Sequence, residues 1–253
     1  MKPILILPQK HRSDDADLWR AAIRRGWETM RVGRTVDPAT FQDRPRVCYY
    51  GNGLHALQLG SRLPVAFGKI DPLLLAELPE TRRAVALRRF SEIEQPLANT
   101  CFVKPTSEKW FPARVYPDGA TLPEGPLPDD LIYVQAPVTF TDEVRCYVRG
   151  AEILTASLYR VAQVVWDESG LPPEELNFDD RLVHTSIPDM VRQIRAAAKS
   201  RLPDGVVMDF GKLGSGEWAL IEFNEAWASG LYYCDPDRAF DVILASQSPL
   251  ENP

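Results

Sequence analysis

The sequence predicts an α+β protein, a small N-terminal α/β unit followed by a larger strand-rich module. Three observations carry this prediction. Short apolar runs alternate with helical patterns over residues 1–95, strands dominate from Thr100 onward, and a Gly214-Ser215-Gly216 turn joins two β-rich runs near the C-terminal end.

Taken in order, residues 3–8 read as a first strand. Their apolar stretch is too short for a signal peptide or a membrane span. A helix follows over 14–26, with Leu18, Ala22 and Ile23 on one side, Ser13 placed to cap its start and Gly26 to stop it. Val47 to Tyr50 reads as a strand, Gly53 to Leu59 as a helix, and Pro64 to Phe67 as a third short strand. Residues 71–90 carry a helical pattern, interrupted at Leu78-Pro79. A proline-rich stretch over 116–130 reads as an exposed connection. Strands are expected at 131–135, 143–149 and 152–158, a helix near 189–200, and two strands at 206–213 and 217–224. The change of texture sets a domain boundary near Pro96, giving units of 1–95 and 96–253.

The chain has 253 residues and a formal net charge of −6, with 45% hydrophobic and 25% charged residues. That suits a globular protein with a sizeable core. The acidic balance argues against nucleic acid or an anionic membrane as the main partner. Cys48, Cys101, Cys146 and Cys234 form no C-x-x-C pair, and His11, His55 and His184 are the only histidines, so a zinc site is not expected. Scattered thiols of this kind fit a cytoplasmic protein.

The run VVMDFGKLGSGEWALIEFNEAWASG, residues 206–230, carries the most chemistry. A hairpin turning at Ser215-Gly216, or over Gly214 to Glu217, sets Asp209 directly opposite Glu222. A turn at Gly214-Ser215 leaves the two diagonal but on one face, and only a loop of odd length sends them to opposite faces. Glu222 and Asn224 share a face in every case, because side chains alternate along a strand. Two carboxylates and an amide oxygen would then converge within roughly 5–8 Å. Opposed carboxylates destabilise a sheet unless positive charge lies between them, and a hard cation such as magnesium answers that need. Acids on the solvated face of an edge hairpin would show the same spacing.

Asp-x12-Glu-x-Asn across a hairpin, followed shortly by Ser-Gly, resembles the metal-binding end of the ATP-grasp superfamily. CFVKPTSEKWFPARVY is similar to the strand and hairpin that bring lysines to the phosphates, and IYVQAPVTFTDEVRCYV to the adenine hinge and its E-x-R strand. The resemblance covers about 135 residues in the right order. It implies an ATP-grasp fold preceded by the small N-terminal unit, and ATP with Mg2+ as cofactors. It also implies an ATP-dependent ligase that activates a small-molecule or peptide carboxylate for attack by an amine.

Residue by residue, the resemblance implies Asp209, Glu222 and Asn224 as metal ligands, and Lys104 and Arg145 as catalytic groups on the phosphates. It adds Lys109 as a second phosphate lysine, Gln135, Pro137 and Val138 as the adenine hinge, and Glu143 beside Arg145. Ser229 and Gly230 would face substrate, while Arg114 could meet phosphate or an acidic substrate and equally could be an exposed hairpin cation. The family commonly has glycine in the phosphate hairpin, where this chain has Trp110-Phe111-Pro112-Ala113.

Two other readings compete. Gly51-Asn52-Gly53-Leu54-His55-Ala56 fits G-x-G-x-x-A after a strand and before a helical pattern, with Asp71 beyond, which is a dinucleotide fingerprint. The same fold could also serve as a non-catalytic ATP-binding module. No G-x-x-x-x-G-K-[ST] and no G-x-S-x-G is present. His55 could reach substrate, and Trp227, Tyr232 and Tyr233 could form either an acceptor wall or core.

Overall fold

The computed structural model describes residues 1–10, 13–106, 111–165 and 173–250. The N-terminal unit runs β1 (Ile4–Pro8), α1 (Ser13–Arg24), β2 (Glu28–Val32), β3 (Val47–Tyr49), α2 (Gly53–Leu59), β4 (Val65–Phe67) and a single turn α3 (Leu74–Glu77). Its sheet, in order β2-β1-β3, is parallel throughout. β1 is buried along its whole length, as expected of a central parallel strand. α1 presents Leu18, Ala21 and Ala22 inward, whereas Ile23, expected inward, is half exposed. Gly26 follows the helix at φ 76°, a left-handed backbone that glycine adopts without strain.

Next come β5 (Val85–Arg89), β6 (Cys101–Pro105), β7 (Arg114–Tyr116) and β8 (Leu131–Gln135), forming a sheet of order β5-β8-β6-β7. Of the helical reading of residues 71–90, Leu74–Glu77 is helical and breaks before Pro79, but β5 replaces helix by strand over Val85–Arg89. Its Ala, Leu and Arg residues favour helix locally, but five antiparallel pairs with β8 override that preference. β5 lies before Pro96 and pairs within the sheet formed by the strands that follow it.

The last module contains β9 (Phe140–Arg149), β10 (Glu152–Val161), β11 (Val164–Val165), α4 (Pro173–Leu176), α5 (Ile187–Ala198), β12 (Gly205–Leu213), β13 (Trp218–Asn224), α6 (Pro236–Ala245) and β14 (Gln247–Pro249). Five of these strands form one antiparallel sheet, β11-β10-β9-β12-β13. β14 returns to pair with β4, so the C-terminal end belongs structurally with the N-terminal unit.

Alternation along β9 and β12 divides the five-stranded sheet into two chemistries. Val144, Cys146, Val148, Val206, Met208 and Phe210 face α5, where Ile187, Met190, Val191 and Ile194 close a hydrophobic core. On the opposite face Tyr147 and Val207 join a second core with α6 and the N-terminal sheet. Further along that same face lie Arg145 and Asp209, at the cleft between the modules. The four cysteines are free, and no helix among the described residues is long and apolar enough to cross a membrane.

Candidate active site

The β12–β13 hairpin sets Asp209 opposite Glu222, but by a route outside the simple loop arithmetic. Leu213 and Glu217 close the turn, with the Leu213 N–H donating to the Glu217 carbonyl at 2.8 Å, which leaves a three-residue loop. That odd loop alone would pair Asp209 with Ile221. The register instead steps from Phe210↔Leu220 to Asp209↔Glu222, so Ile221 is a β-bulge that restores the expected facing. The bulge also explains how Leu220 enters the core under α5 while Glu222, two residues on, faces the cleft.

From this hairpin a continuous polar chain crosses the cleft. The Arg145 guanidinium donates Nε–H to Asp209 Oδ1 at 2.9 Å and Nη2–H to Asp209 Oδ2 at 2.7 Å. Asn224 Nδ2 donates to Asp209 Oδ2 and to Glu222 Oε1, each at 3.0 Å. Lys104 Nζ donates to Glu222 Oε2. The positive charge that opposed carboxylates need is thus supplied by Arg145 and Lys104. Two carboxylates and an amide nonetheless converge on one cleft face, the hard oxygen donor set that suits Mg2+. Among the described residues no three of His, Cys, Asp and Glu cluster as a metal site.

Burial pushes the Asp209 carboxyl up to about 6, against the pull of Arg145. Burial acts the same way on Glu222, but Lys104 and Asn224 outweigh it and hold that carboxyl at about 2. Burial opposes the charge on Arg145, and Asp209 overcomes it, raising the guanidinium well above its ordinary value. Two tyrosines fix the Arg145 plane. Its guanidinium carbon lies 4.8 Å from the Tyr232 ring centre and 5.6 Å from that of Tyr159.

Two cavities meet at this chain. One, of about 450 Å³, is bounded by Phe102, Gln135, Val138, Phe140 and Glu143. The other, of about 820 Å³, is bounded by Arg145, Tyr159, Asp209, Ser229, Gly230 and Tyr232. Lys104, Ala113 and Glu222 border both. Phe140 lies across Gly211, where an added Cβ would come 2.3 Å from the ring. A glycine within a strand is a legible sign of such an approach. The signal for Phe140 was therefore present, while Tyr159 and Arg83, which also border these cavities, carry none in isolation.

The remaining expected residues divide. Glu143 pairs across the strands with Arg160 at 3.3 Å rather than with Arg145. Gln135 is buried, its Oε1 accepting from Arg83 Nε at 2.9 Å. Val138 borders the smaller cavity, whereas Pro137 is exposed and does not. Arg114 is placed away from the cleft. It occupies the face of β7 that carries Tyr116, over whose ring it stacks at 4.8 Å, while Val115 on the other face borders the smaller cavity. Ser229 and Gly230 do border the larger cavity, but the Ser229 hydroxyl donates to the Glu225 carbonyl at 2.8 Å and so holds the turn. Lys109 and Trp110 lie outside the described residues.

The Gly51 turn offers no room for a dinucleotide. A Cβ on Gly51 would fall 2.3 Å from the Tyr49 hydroxyl and 2.7 Å from Pro8, and the Gly51 N–H donates to the Trp227 carbonyl at 2.9 Å. Both His55 ring nitrogens are engaged, by the Tyr49 hydroxyl at 2.9 Å and the Gly33 carbonyl at 2.7 Å. Trp227 stacks on Phe67 at 4.1 Å within the N-terminal core, and Tyr233 packs toward the core under α5, which leaves Tyr232 as the aromatic residue of that turn facing the cleft.

The model for ATP-grasp domains of the R2K clade, family 2, matches residues 81–242, beginning just before β5. Solved structures share the fold over nearly the whole chain. D-cycloserine synthetase DcsG is 12% identical, with 96% of this chain and 99% of that chain covered at a TM-score of 0.56. The macrocyclase MdnC of Microcystis aeruginosa MRC, bound with precursor peptide MdnA, is 11% identical, with the same coverages and a TM-score of 0.55. D-alanine–D-alanine ligase from Bacillus anthracis is 10% identical, with 97% of each chain covered and a TM-score of 0.51. No curated protein sequence matches the chain.

Proposed function

The chain belongs to the R2K clade of ATP-grasp domains, and from that premise we propose that it is an ATP-dependent carboxylate–amine ligase. The observation that carries this reading is the unbroken line Lys104–Glu222–Asn224–Asp209–Arg145 at the junction of two cavities. Phosphoryl transfer asks little covalent chemistry of a protein and much positioning and charge. The smaller cavity, with Phe102, Val138 and Phe140, suits a flat base, and Gln135 offers it a polar edge. Lys104 stands where the phosphates would pass from one cavity to the other. Arg145, immobilised by Asp209 and two tyrosines, is pre-oriented for the transferring γ-phosphoryl group.

Asp209, Glu222 and Asn224 would hold Mg2+, which supplies neutralising charge to the β- and γ-phosphate oxygens when bound. A substrate carboxylate oxygen attacks the γ-phosphorus as the bond to the β-phosphate oxygen breaks, releasing ADP and giving an acyl phosphate. An amine then attacks the carbonyl carbon, loses a proton and expels inorganic phosphate, leaving an amide. Lys104, Lys109 and Arg145 serve the phosphates, and the Ser229–Gly230 turn forms the substrate-side wall. MdnC, similar in fold, is described with a precursor peptide, and the B. anthracis enzyme is a ligase of D-alanine. Small-molecule and peptide substrates both fit that range.

The test is an ADP-release screen over pairs of amino acids and peptides, with mass spectrometry of the products. ADP together with a ligated product supports the ligase. ATP binding without turnover would support a non-catalytic module instead. Absence of Mg-dependent ATP binding, with Glu222→Gln changing nothing, removes the reading altogether.

A further inference from the structure

Arg83 stands in the short turn that leads into β5 and is partly buried, at a position that looks in sequence like an ordinary surface cation. Its guanidinium makes four hydrogen bonds. Nε donates to Gln135 Oε1 at 2.9 Å, Nη1 to the carbonyls of Thr81 at 2.9 Å and Leu220 at 2.7 Å, and Nη2 to the Ile221 carbonyl at 2.9 Å. The cation also lies 5.6 Å over the Phe140 ring. Burial lowers its pKa to about 10, which leaves it charged at neutral pH.

Two of these partners belong to the bulge. Among the described residues β13 is the edge strand of its sheet, and the carbonyls of Leu220 and Ile221 are bonded by Arg83 rather than by a further strand. An outward bulge left unbonded can slip into the neighbouring register, and a one-residue slip would turn Glu222 away from the cleft. The planar fork of Arg83 spans both carbonyls, which a lysine ammonium does not reproduce.

The third partner lies at the other end of the site. Gln135 is 4% exposed, and with Oε1 held by Arg83 its Nε2 has no hydrogen-bond partner among the described residues, on the border of the smaller cavity. A buried amide fixed by its oxygen presents its N–H groups as donors only. Whatever fills that cavity then meets a donor whose direction Arg83 sets.

We propose that Arg83 is a positioning residue joining the two ends of the nucleotide site, holding the Ile221 bulge that aims Glu222 into the cleft and orienting Gln135 as a donor toward the base. The inference rests on the ligase reading for its nucleotide, but its structural half does not. A merely structural Arg83 would lower stability while leaving both the nucleotide and the metal affinity of the folded protein unchanged.

The experiment compares wild type, Arg83→Lys, Arg83→Ala and Gln135→Met. Three quantities are read: AMP-PNP affinity in EDTA, Mn2+ affinity at saturating AMP-PNP, and amide hydrogen exchange of residues 220–224 without ligand. The expected result is that Arg83→Lys weakens both affinities roughly tenfold and speeds exchange at 220–224 by a similar factor, the scale of one or two lost hydrogen bonds. Gln135→Met should weaken AMP-PNP alone. Wild-type affinities in Arg83→Lys, or an equal loss of Mn2+ affinity in Gln135→Met, would overturn the proposal. If wild type binds no AMP-PNP, the ligase reading falls on its own. Exchange then decides the bulge, and unchanged exchange in Arg83→Ala would overturn the inference as well.

Discussion

Two glycine-bracketed turns, Gly214-Ser215-Gly216 and Gly51-Asn52-Gly53, are spelled almost alike and lie at opposite ends of the chain. The first leaves open space around its glycines, and its strands carry Asp209 and Glu222 to a cleft. In the second, Gly51 is closed in by Tyr49 and Pro8 and bonded to the Trp227 carbonyl, although Gly53 has open space beside it. One turn needs glycine for backbone freedom, with Gly216 at φ 89°, and the other because no side chain fits. A glycine pattern thus reports a constraint on the backbone, and the neighbouring side chains decide whether a ligand or the protein itself imposes it.

That contrast can be broken most sharply at Asp209. Asp209→Ala leaves the buried Arg145 cation without its carboxylate, and urea unfolding should show a loss on the order of 3–5 kcal/mol. A loss below about 1 kcal/mol would mean that the pair contributes little to the fold.

A pH series sharpens the same side. Glu222 is held at about 2 in the folded protein against an ordinary 4.5. Its stabilisation is complete above pH 4.5 and is lost as pH falls toward 2, on the order of 3 kcal/mol in all. Asp209, raised from 3.8 to about 6, runs the other way: its contribution is complete below pH 3.8 and lost as pH rises through 6. The Glu222 charge also helps to raise Asp209, so the difference in urea midpoint between wild type and Glu222→Gln reports Glu222 together with its coupling to Asp209. That difference should shrink as pH falls below about 4.5, and a constant difference would refute the assignment.

On the other turn, Gly51→Ala should cost about 1–3 kcal/mol by overpacking against Tyr49 and Pro8. Nucleotide affinity of the folded protein should not change. A thermal melt that does not move would show that the turn relaxes freely. The smallest effect is expected at Arg114→Ala, within about 0.5 kcal/mol in stability, with ATP affinity unchanged. A clear loss of ATP affinity there would return Arg114 to the site.

Much of the site was legible because it is local. Glu222 and Asn224 lie on one strand, and Glu143 and Arg145 on another, so alternation groups each pair, while Asp209 meets Glu222 only through the Ile221 bulge. The fold class followed from strand and helix patterns for the same reason. What sequence did not reveal depends on distant partners. β5 looks helical until β8 pairs with it. Arg83 draws its meaning from carbonyls some 138 positions away. Arg114 stood open between substrate and an exposed hairpin cation because which face of β7 meets the cleft is set by its pairing with β6, unknown until that register is seen.

The Ile221 bulge bears on how such a hairpin can evolve. Turn length and bulge together fix the parity of the count between Asp209 and Glu222, and neither does so alone. A lineage can therefore gain or lose a residue at the Gly214–Gly216 turn and keep its chemistry, provided the bulge is lost or gained in step. Turn and bulge are inherited as one character written at two places, so an alignment that counts only the spacing between the two acids will see identity across hairpins that reach it differently.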